Sequence, residues 1–323
     1  MTTEQEFEFN AGDVDSVDQS TVEQSGPQYP VIQWHYGDAK AKKIGGMDYN
    51  GGWFIKDGQI DEATLTAAGW VKTTWTHDSG VEDDGFWRRE IAVSVVAIRK
   101  RWEVTAVDGT KQLFPWSKYE SAKEQGRAVG RTHVLCIIKG LESIGPVVLT
   151  LKGSAAIGVE GNRNSSGALT KFAQTVIARA NTESAAVAKK AGKAPGKWPY
   201  RAFWLPVGAD REANGEPKFT ELGKGKDTSR LVLPIALGLP AKAEQVELKR
   251  FYVGADLLAT VNELLAANTE WASAWDSIVS GATENGATVV APEAQPEPVT
   301  ATVVAPEAQP EPVTATVLDE MGL

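Results

Sequence analysis

Three short segments of the sequence place aromatic rings beside positive charges. They are Phe86-Trp87-Arg88-Arg89, Arg99-Lys100-Arg101-Trp102 and Lys197-Trp198-Pro199-Tyr200-Arg201. Proteins that bind single-stranded nucleic acids use positive side chains to contact phosphates and flat rings on which unstacked bases lie. The three segments therefore predict a surface that binds single strands.

We assign the residues of these segments, with two neighbours, to two roles. The predicted stacking rings are Trp87, Trp102, Trp198 and Tyr200. The predicted phosphate contacts are Arg88, Arg89, Arg99, Lys100, Arg101, Lys152, Lys193, Lys197 and Arg201. Lys152 is included because Lys152-Gly153 ends a predicted strand with little side-chain cover. Lys193 belongs to a basic link containing glycine and proline, which we predict to become ordered on DNA.

The same rings have a second interpretation as core residues. The chain contains 11 tryptophans, and tryptophan packs well inside β-sheet domains. Side chains of a strand alternate between its two faces, so a core ring is often followed by an exposed base. Each predicted ring thus remains either a stacking platform or part of the core.

Other chemistry has weaker support in the sequence. The three histidines, His35, His77 and His133, lie far apart, and their spacing matches no metal site. Four acids in a predicted turn (Asp78, Glu82, Asp83 and Asp84) would be the centre of a Mg²⁺- or Mn²⁺-dependent nuclease. The sequence has no nucleotide-binding motif, and we predict a protein that is not an enzyme, without cofactor or metal.

Charge is distributed unevenly along the chain. Residues 1–28 and residues 281–323 each carry seven acids and neither lysine nor arginine. Removing these 14 acids from the 42 of the chain leaves 28 acids and 33 bases in residues 29–280. A positive core fits an acidic partner such as nucleic acid, although the whole chain has a net charge of −9.

The C-terminal segment has low complexity. Ala287–Thr300 reads ATVVAPEAQPEPVT, and Ala301–Thr314 repeats it without a change, which is typical of an extended spacer. The tip that follows is Leu318, Asp319, Glu320, Met321, Gly322 and Leu323. This layout resembles bacterial and phage single-stranded DNA-binding proteins. The resemblance implies that the tip binds replication or recombination proteins, but those tips usually have more acids and end in Pro-Phe.

Apolar patterning predicts an α+β fold. We expect a bent antiparallel sheet or an OB-like β-barrel, with a strand predicted over Gly85–Arg101 that contains the apolar run Val93–Ile98. Two long helices are predicted in the C-terminal half, over about residues 166–191 and 256–280. Asp61 and Gly69 are placed to cap the two ends of a shorter helix. The predicted domains are an acidic tail at 1–28, the core at 29–280 and a second tail at 281–323.

Four short motifs carry a family resemblance. They are Tyr29–Gln33, Gly51–Ile55, Ala68–Trp70 and Leu149–Gly153, and together they resemble a domain family of unknown function from cyanobacteria and their plasmids and phages. The resemblance covers residues 29–280. It implies a phage or mobile-element setting and assigns no role to any residue.

The cellular compartment is predicted from features that the sequence does not show. No apolar run approaches the roughly 20 residues that span a bilayer, and the acidic start has no secretory pattern. The one cysteine, Cys136, lies in the apolar run Val134–Ile138, which predicts a buried thiol and fits a reducing cytoplasm.

The leading hypothesis is a single-stranded DNA-binding protein of a phage or mobile element that acts in replication or recombination. The alternative is a structural or protein-interaction module, and the third is the metal-dependent nuclease. Oligomeric state and the choice between DNA and RNA stay open.

Overall fold

The structure is a computed structural model that describes residues 29–36, 42–44, 47–49, 51–76, 82–162, 165–216, 218–222 and 229–283. The predicted N-terminal tail lies outside these residues. So do the repeat and the tip, which includes Leu318, Asp319, Glu320, Met321 and Leu323.

The strands are labelled in chain order. They are β1 Val31–His35, β2 Lys42–Ile44, β3 Met47–Tyr49, β4 Gly52–Lys56, β5 Val71–Thr76, β6 Glu82–Arg88, β7 Glu90–Thr105, β8 Lys111–Pro115, β9 Arg127–Ile138, β10 Val147–Lys152, β11 Gly161–Asn162, β12 Ser165–Ser166, β13 Leu205–Ala209, β14 Thr220–Leu222, β15 Ser229–Leu231, β16 Pro234–Ala236 and β17 Ala282–Thr283.

The α-helices are α1 Glu62–Ala67, α2 Tyr119–Glu124, α3 Ser154–Glu160, α4 Ala168–Phe172, α5 Ala178–Lys190, α6 Leu248–Phe251, α7 Ala255–Ala267 and α8 Thr269–Ser273. The two longest α-helices, α5 and α7, have 13 residues each. A π-helical segment, Ala173–Ile177, joins α4 to α5, and 3₁₀ turns cover Glu142–Ile144, Tyr200–Ala202 and Ala243–Gln245.

One large sheet dominates the fold. Its strand order is β16-β13-β7-β9-β10-β1-β4-β6-β5, and β8 adds to β7 and carries β17. The sheet is curled and open, like half of a barrel, and the fold is α+β as predicted. It is mixed rather than antiparallel, because β1 and β10 run parallel with Val31 opposite Val148.

Strand β7 is the centre of the sheet. It has 16 residues and pairs with β13 through its first part, with β8 through its last part, and with β9 through most of its length. A register shift between Val95 and Ala97 marks a β-bulge, which bends a strand and increases its twist.

Both faces of the central strands are covered. Val134 and Leu149 belong to the core that includes Phe172 of α4, whereas Leu135 and Val148 pack with Val261 of α7. Neighbouring residues of a strand point to opposite faces. The continuous apolar run of β9 is therefore explained by cover on both sides.

The predicted helices are found with one difference. At α1, Asp61 accepts a hydrogen bond from the Thr64 amide at 2.9 Å, and Gly69 has φ of +79°. The first long helix spans α4, the π-helical segment and α5.

The second long helix was predicted as one continuous element. That prediction was wrong, because α7 and α8 are separated at Asn268. The buried Asn268 side chain donates to the Leu264 carbonyl at 2.8 Å and accepts from the Tyr29 hydroxyl at 2.6 Å. Such side-chain bonds compete with those of the helix backbone.

Two further findings concern the C-terminal end of the core and membrane-spanning helices. Regular pairing extends to Thr283 of β17, which lies opposite Gln112 of β8, three residues beyond the predicted end of the core. Within the described residues, no helix is long and apolar enough to cross a membrane.

Candidate nucleic-acid interface

Three aromatic side chains form a ridge at one end of the sheet. The indole rings of Trp102 and Trp116 stack with centroids 4.1 Å apart and planes 7° from parallel. Tyr119 lies 4.8 Å from the Trp102 ring. We call these three residues the aromatic platform. Trp116 and Tyr119 are 40% and 43% exposed, and Trp102 is half-buried.

The β7–β8 hairpin positions the platform. Its register places Trp102 opposite Phe114. Trp116 comes directly after the last residue of β8 and stacks on Trp102. The Trp102 Nε1 group donates to the Trp116 carbonyl at 2.9 Å. Helix α2 begins at Tyr119 and is anchored by Ala122, which is fully buried.

Gly130 of β9 leaves the space beneath the rings. It lies opposite Trp102 in the β7–β9 register. A Cβ atom at this position would lie 3.4 Å from the Trp116 ring and 3.5 Å from the Trp102 ring. The stacked rings therefore lie directly over a position without a side chain.

Both basic and acidic side chains lie near the platform. The Lys100 ammonium lies 5.4 Å from the Trp116 ring centroid and forms an ion pair with Glu160. Residues 99–131 contain eight bases, of which Arg99 and Arg101 are buried, and four acids, of which Asp108, Glu120 and Glu124 are exposed. Among these bases, Lys118, Lys123 and Arg127 are exposed. The platform thus has a cation over one ring and further bases nearby.

Arg99 and Arg101, predicted phosphate contacts, are instead buried at 9% and 4% exposure. Their guanidinium carbons lie 4.5 and 4.6 Å from the Trp275 ring centroid, and Arg99 also lies 4.1 Å from that of Trp271. The prediction was wrong for these two residues because strand alternation points them to the face that α8 and Trp275 cover.

His133 completes this buried group. Its ring lies 4.5 Å from that of Trp275, and its Nδ1 atom lies 3.3 Å from Arg99 NH2. Burial, and then the charges of Arg99, Arg101 and Arg131, hold the pKa of His133 well below its usual range. Burial and the charge of Arg101 lower the pKa of Arg99 to about 10.

Lys152 belongs to the same face as this buried group. Register pairs it with Arg131 of β9, and Arg131 with Arg101 of β7. Arg131 donates to both carboxylate oxygens of Glu103, at 2.7 and 2.8 Å. Lys152 is thus on the face opposite Trp102 and does not join the aromatic platform.

The first predicted cluster lies on β6, between β4 and β5. Trp87 is 2% exposed and packs against Val71 and Trp75. Its indole fills the space that Gly52 leaves, since a Cβ there would lie 2.1 Å from Nε1. The prediction of a stacking platform at Trp87 was wrong, because this strand is interior and its ring belongs to the core.

The two arginines of that cluster have structural contacts. Arg88 NH1 donates to the Ala68 carbonyl, and burial lowers the pKa of Arg88. Arg89 NH2 lies 3.9 Å from the Glu90 carboxylate and the side chain remains 42% exposed. Only Arg89 of this cluster is readily accessible to a phosphate.

The third predicted cluster is partly exposed. The Trp198 ring is half-buried and contacts Phe203 and Tyr252, at centroid distances of 5.6 and 6.0 Å. Tyr200 is 37% exposed, and partial burial raises its pKa. Arg201 Nε donates to Asn262 Oδ1 at 2.5 Å.

Lys193 and Lys197 belong to the basic link before this cluster, and both are exposed. The link is bonded to α5: the Ser184 hydroxyl donates to the Gly196 carbonyl at 3.3 Å, and the Trp198 amide donates to Asn181 Oδ1 at 2.8 Å.

The second and third clusters do not form one groove. The Ser94 hydroxyl of β7 donates to the Arg201 carbonyl, and Ser94 precedes Trp102 by eight residues on the same strand. That separation corresponds to about 25 Å at the usual rise of a strand. The structure therefore separates the predicted residues into distinct places.

The predicted acidic turn is wrong for its described part, because Glu82, Asp83 and Asp84 are the first residues of strand β6 and pair with β5. Asp83 pairs with Lys56 at 2.9 Å, and Asp84 accepts from the Thr74 hydroxyl at 2.6 Å. Asp78 and His77 lie outside the described residues. Where the structure describes the chain, no group of three or more His, Cys, Asp or Glu side chains is arranged to hold a metal ion.

Comparison with known proteins adds no family. No protein-family model, no curated protein and no solved structure matches the chain.

Two residues of the aromatic platform, Trp116 and Tyr119, were missed in the sequence analysis. The signal was present in Trp116-Ser117-Lys118-Tyr119, where two rings flank a lysine, but the stacking depends on the hairpin.

Proposed function

We propose that the protein binds single-stranded DNA through the aromatic platform. The observation that carries the proposal is the stacked pair of Trp102 and the exposed Trp116, with the Lys100 ammonium 5.4 Å from the Trp116 ring. A base stacked on such a ring contributes about 1–3 kcal/mol regardless of its identity. Exposed indoles beside cations suit this kind of ligand.

The proposed interface differs from the sequence-derived set. It keeps Trp102 and Lys100, and adds Trp116 and Tyr119 as rings and Lys118, Lys123 and Arg127 as phosphate contacts. It omits Trp87, Arg99 and Arg101, which are buried. Exposed bases around a ring give a phosphate backbone a path without requiring a particular sequence.

The setting is part of the same proposal. A phage or mobile-element protein that acts in replication or recombination would bind its partners through the Leu318–Leu323 tip. A curled sheet with an aromatic ridge also suits the OB-like architecture, in which single strands lie across the sheet.

A protein-interaction module is the second candidate. It is favoured by the apolar groove lined by Val187 and Tyr252, both exposed, since exposed aromatic and apolar side chains are typical of protein interfaces. Such a module would show no salt-dependent affinity for oligonucleotides.

Fluorescence anisotropy of labelled oligo(dT), titrated with the full chain at low and high salt, separates these candidates. The proposal expects binding that weakens steeply with salt. Replacing Trp116 by Leu should weaken it about 5- to 150-fold, which corresponds to one lost stacking contact. Tyr200→Leu is the matched control, because Tyr200 is similarly exposed but lies elsewhere. Absence of binding at low salt, or equal affinity of the two variants, would contradict the proposal.

A further inference from the structure

A groove of about 790 Å³ lies between α5, the link of residues 192–197 and the segment around Tyr252. One wall is the C-terminal end of α5, which contributes Val187 and Ala188 together with the C-cap residue Ala191. Ala191 follows Ala188 by three residues and Val187 by four, so both lie beside it on the helix surface. Val187 is 67% exposed, so this wall presents an apolar side chain to solvent.

The opposite wall is aromatic. Trp198 and Tyr252 line the groove, and their rings meet edge to face at 83°. Phe203, which also lines the groove, contacts the Trp198 ring at a centroid distance of 5.6 Å. Because the link is hydrogen-bonded to α5 through Ser184 and Asn181, the two walls are fixed relative to each other.

The rim of the groove is positive. Lys193 and Lys249 line it, and Lys189, Lys190 and Lys197 are exposed nearby. The one acid in the lining, Glu183, forms an ion pair with Arg179 at 2.7 Å. An occupant that combines apolar groups with negative charge is therefore favoured.

We infer that this groove binds the second copy of the proline-rich repeat, Ala301–Thr314, of the same chain. That copy contains three prolines, three valines, two glutamates and no base. Proline-rich segments dock in aromatic grooves, where their limited freedom lowers the entropy cost of binding. Valine and proline suit the apolar walls, and Glu307 and Glu311 suit the lysines of the rim.

The length of the intervening chain selects the second copy. Thr283 lies opposite Gln112, which lies opposite Val104 of β7. The groove adjoins Phe203, two residues before Leu205, which lies opposite Val93 of the same strand. Eleven residues of β7 thus separate the two places, about 36 Å at the usual rise.

The first copy lies too close to Thr283 to fill the groove easily. Its middle proline, Pro296, follows Thr283 by 13 residues, which span at most about 43–47 Å and so reach this distance only when largely extended. Pro310 of the second copy follows by 27 residues, a length whose average span as a flexible chain is about 30 Å. The inference does not depend on DNA binding.

The experiment uses the full chain labelled with bimane, whose fluorescence tryptophan and tyrosine quench on contact. Burial raises the pKa of the Cys136 thiol, so a cysteine introduced by Ala308→Cys is labelled selectively. Docking predicts quenching that Val187→Asp abolishes and Val107→Asp preserves. Val107 is the matched control because it is also an exposed valine, in the distant β7–β8 turn. A label at Ala294→Cys, in the same local sequence, should be quenched less.

Three results would overturn the inference. One is quenching that the two aspartate variants change equally. Another is quenching that grows with protein concentration, which would assign the groove to the repeat of a second molecule. The third is a Val187→Asp variant that keeps the quenching but weakens oligo(dT) binding, which would assign the groove to nucleic acid.

Discussion

Trp102 and Trp116 are 14 residues apart in sequence, yet their indole rings lie parallel with centroids 4.1 Å apart. The β7–β8 hairpin brings them together, and the Trp102 Nε1 bond to the Trp116 carbonyl fixes their orientation. Stacking on a neighbour keeps an exposed indole in one position. Less conformational entropy is then lost when a base binds to it.

The position beneath the rings gives a first prediction. At Gly130, a methyl group meets the rings at 3.4 and 3.5 Å, which is ordinary contact, but a branched side chain has no room. We expect Gly130→Ala to retain oligo(dT) affinity and Gly130→Val to lose much of it by displacing the rings. Near-ultraviolet circular dichroism reports the indole arrangement independently. Unchanged spectra and affinity in Gly130→Val would show that the rings do not need this space.

Local signals in the sequence were sufficient for part of the fold. The capping of α1 by Asp61 and Gly69 depends on neighbouring residues only. The β-branched run of β7 indicated a strand for the same reason. The parallel pairing of Val31 with Val148 could not be predicted, since it joins distant segments through a crossover rather than a turn.

The candidate site shows the same limit more clearly. Arg99 and Trp102 are neighbours in sequence, but strand alternation sends Arg99 under Trp271, 172 residues away. A basic–aromatic segment on a strand therefore predicts that one of the two faces binds the ligand. It does not show which of the two faces is covered by another element and so is buried. Trp116 was missed because its exposure depends on how the hairpin ends.

The second prediction is that replacing a core ring lowers stability, whereas replacing a ring of the aromatic platform lowers oligo(dT) affinity. Trp87→Ala removes a side chain that is 2% exposed and should lower the free energy of unfolding by about 3–5 kcal/mol. Trp116→Ala removes one that is 40% exposed, so it should cost far less stability but weaken oligo(dT) binding. Urea unfolding and anisotropy on the same samples measure both effects. The reverse ranking in both assays would exchange the two roles.

Salt dependence tests the phosphate contacts. Lys118 and Lys123 are exposed beside the platform, and each phosphate contact on a single strand adds about 0.7 to the slope of log affinity against log salt concentration. Replacing either lysine by Gln should lower the slope by about that amount. Lys242→Gln, an exposed lysine near the Ala243–Gln245 turn, should leave it unchanged. Equal slopes in all three variants would place the DNA elsewhere.

His133 makes stability depend on pH. Burial, Arg99, Arg101 and Arg131 all disfavour its protonated form in the folded state, whereas in the unfolded chain its pKa is about 6.5. Below that pH the unfolded state binds more protons, so the free energy of unfolding falls as pH decreases and is fully restored above it.

Urea unfolding between pH 7.5 and pH 5, roughly above the range in which carboxylates titrate, should show this loss. His133→Gln has no titrating ring and offers Arg99 an amide oxygen as acceptor, so its free energy of unfolding should vary less over the same range. An equal dependence in both proteins would mean that another group, and not the imidazole beneath Trp275, is responsible for the loss. The expected difference between the two proteins follows from the geometry. The His133 ring packs 4.5 Å from Trp275 and lies 3.3 Å from the Arg99 guanidinium, so a protonated ring would be repelled by that positive charge.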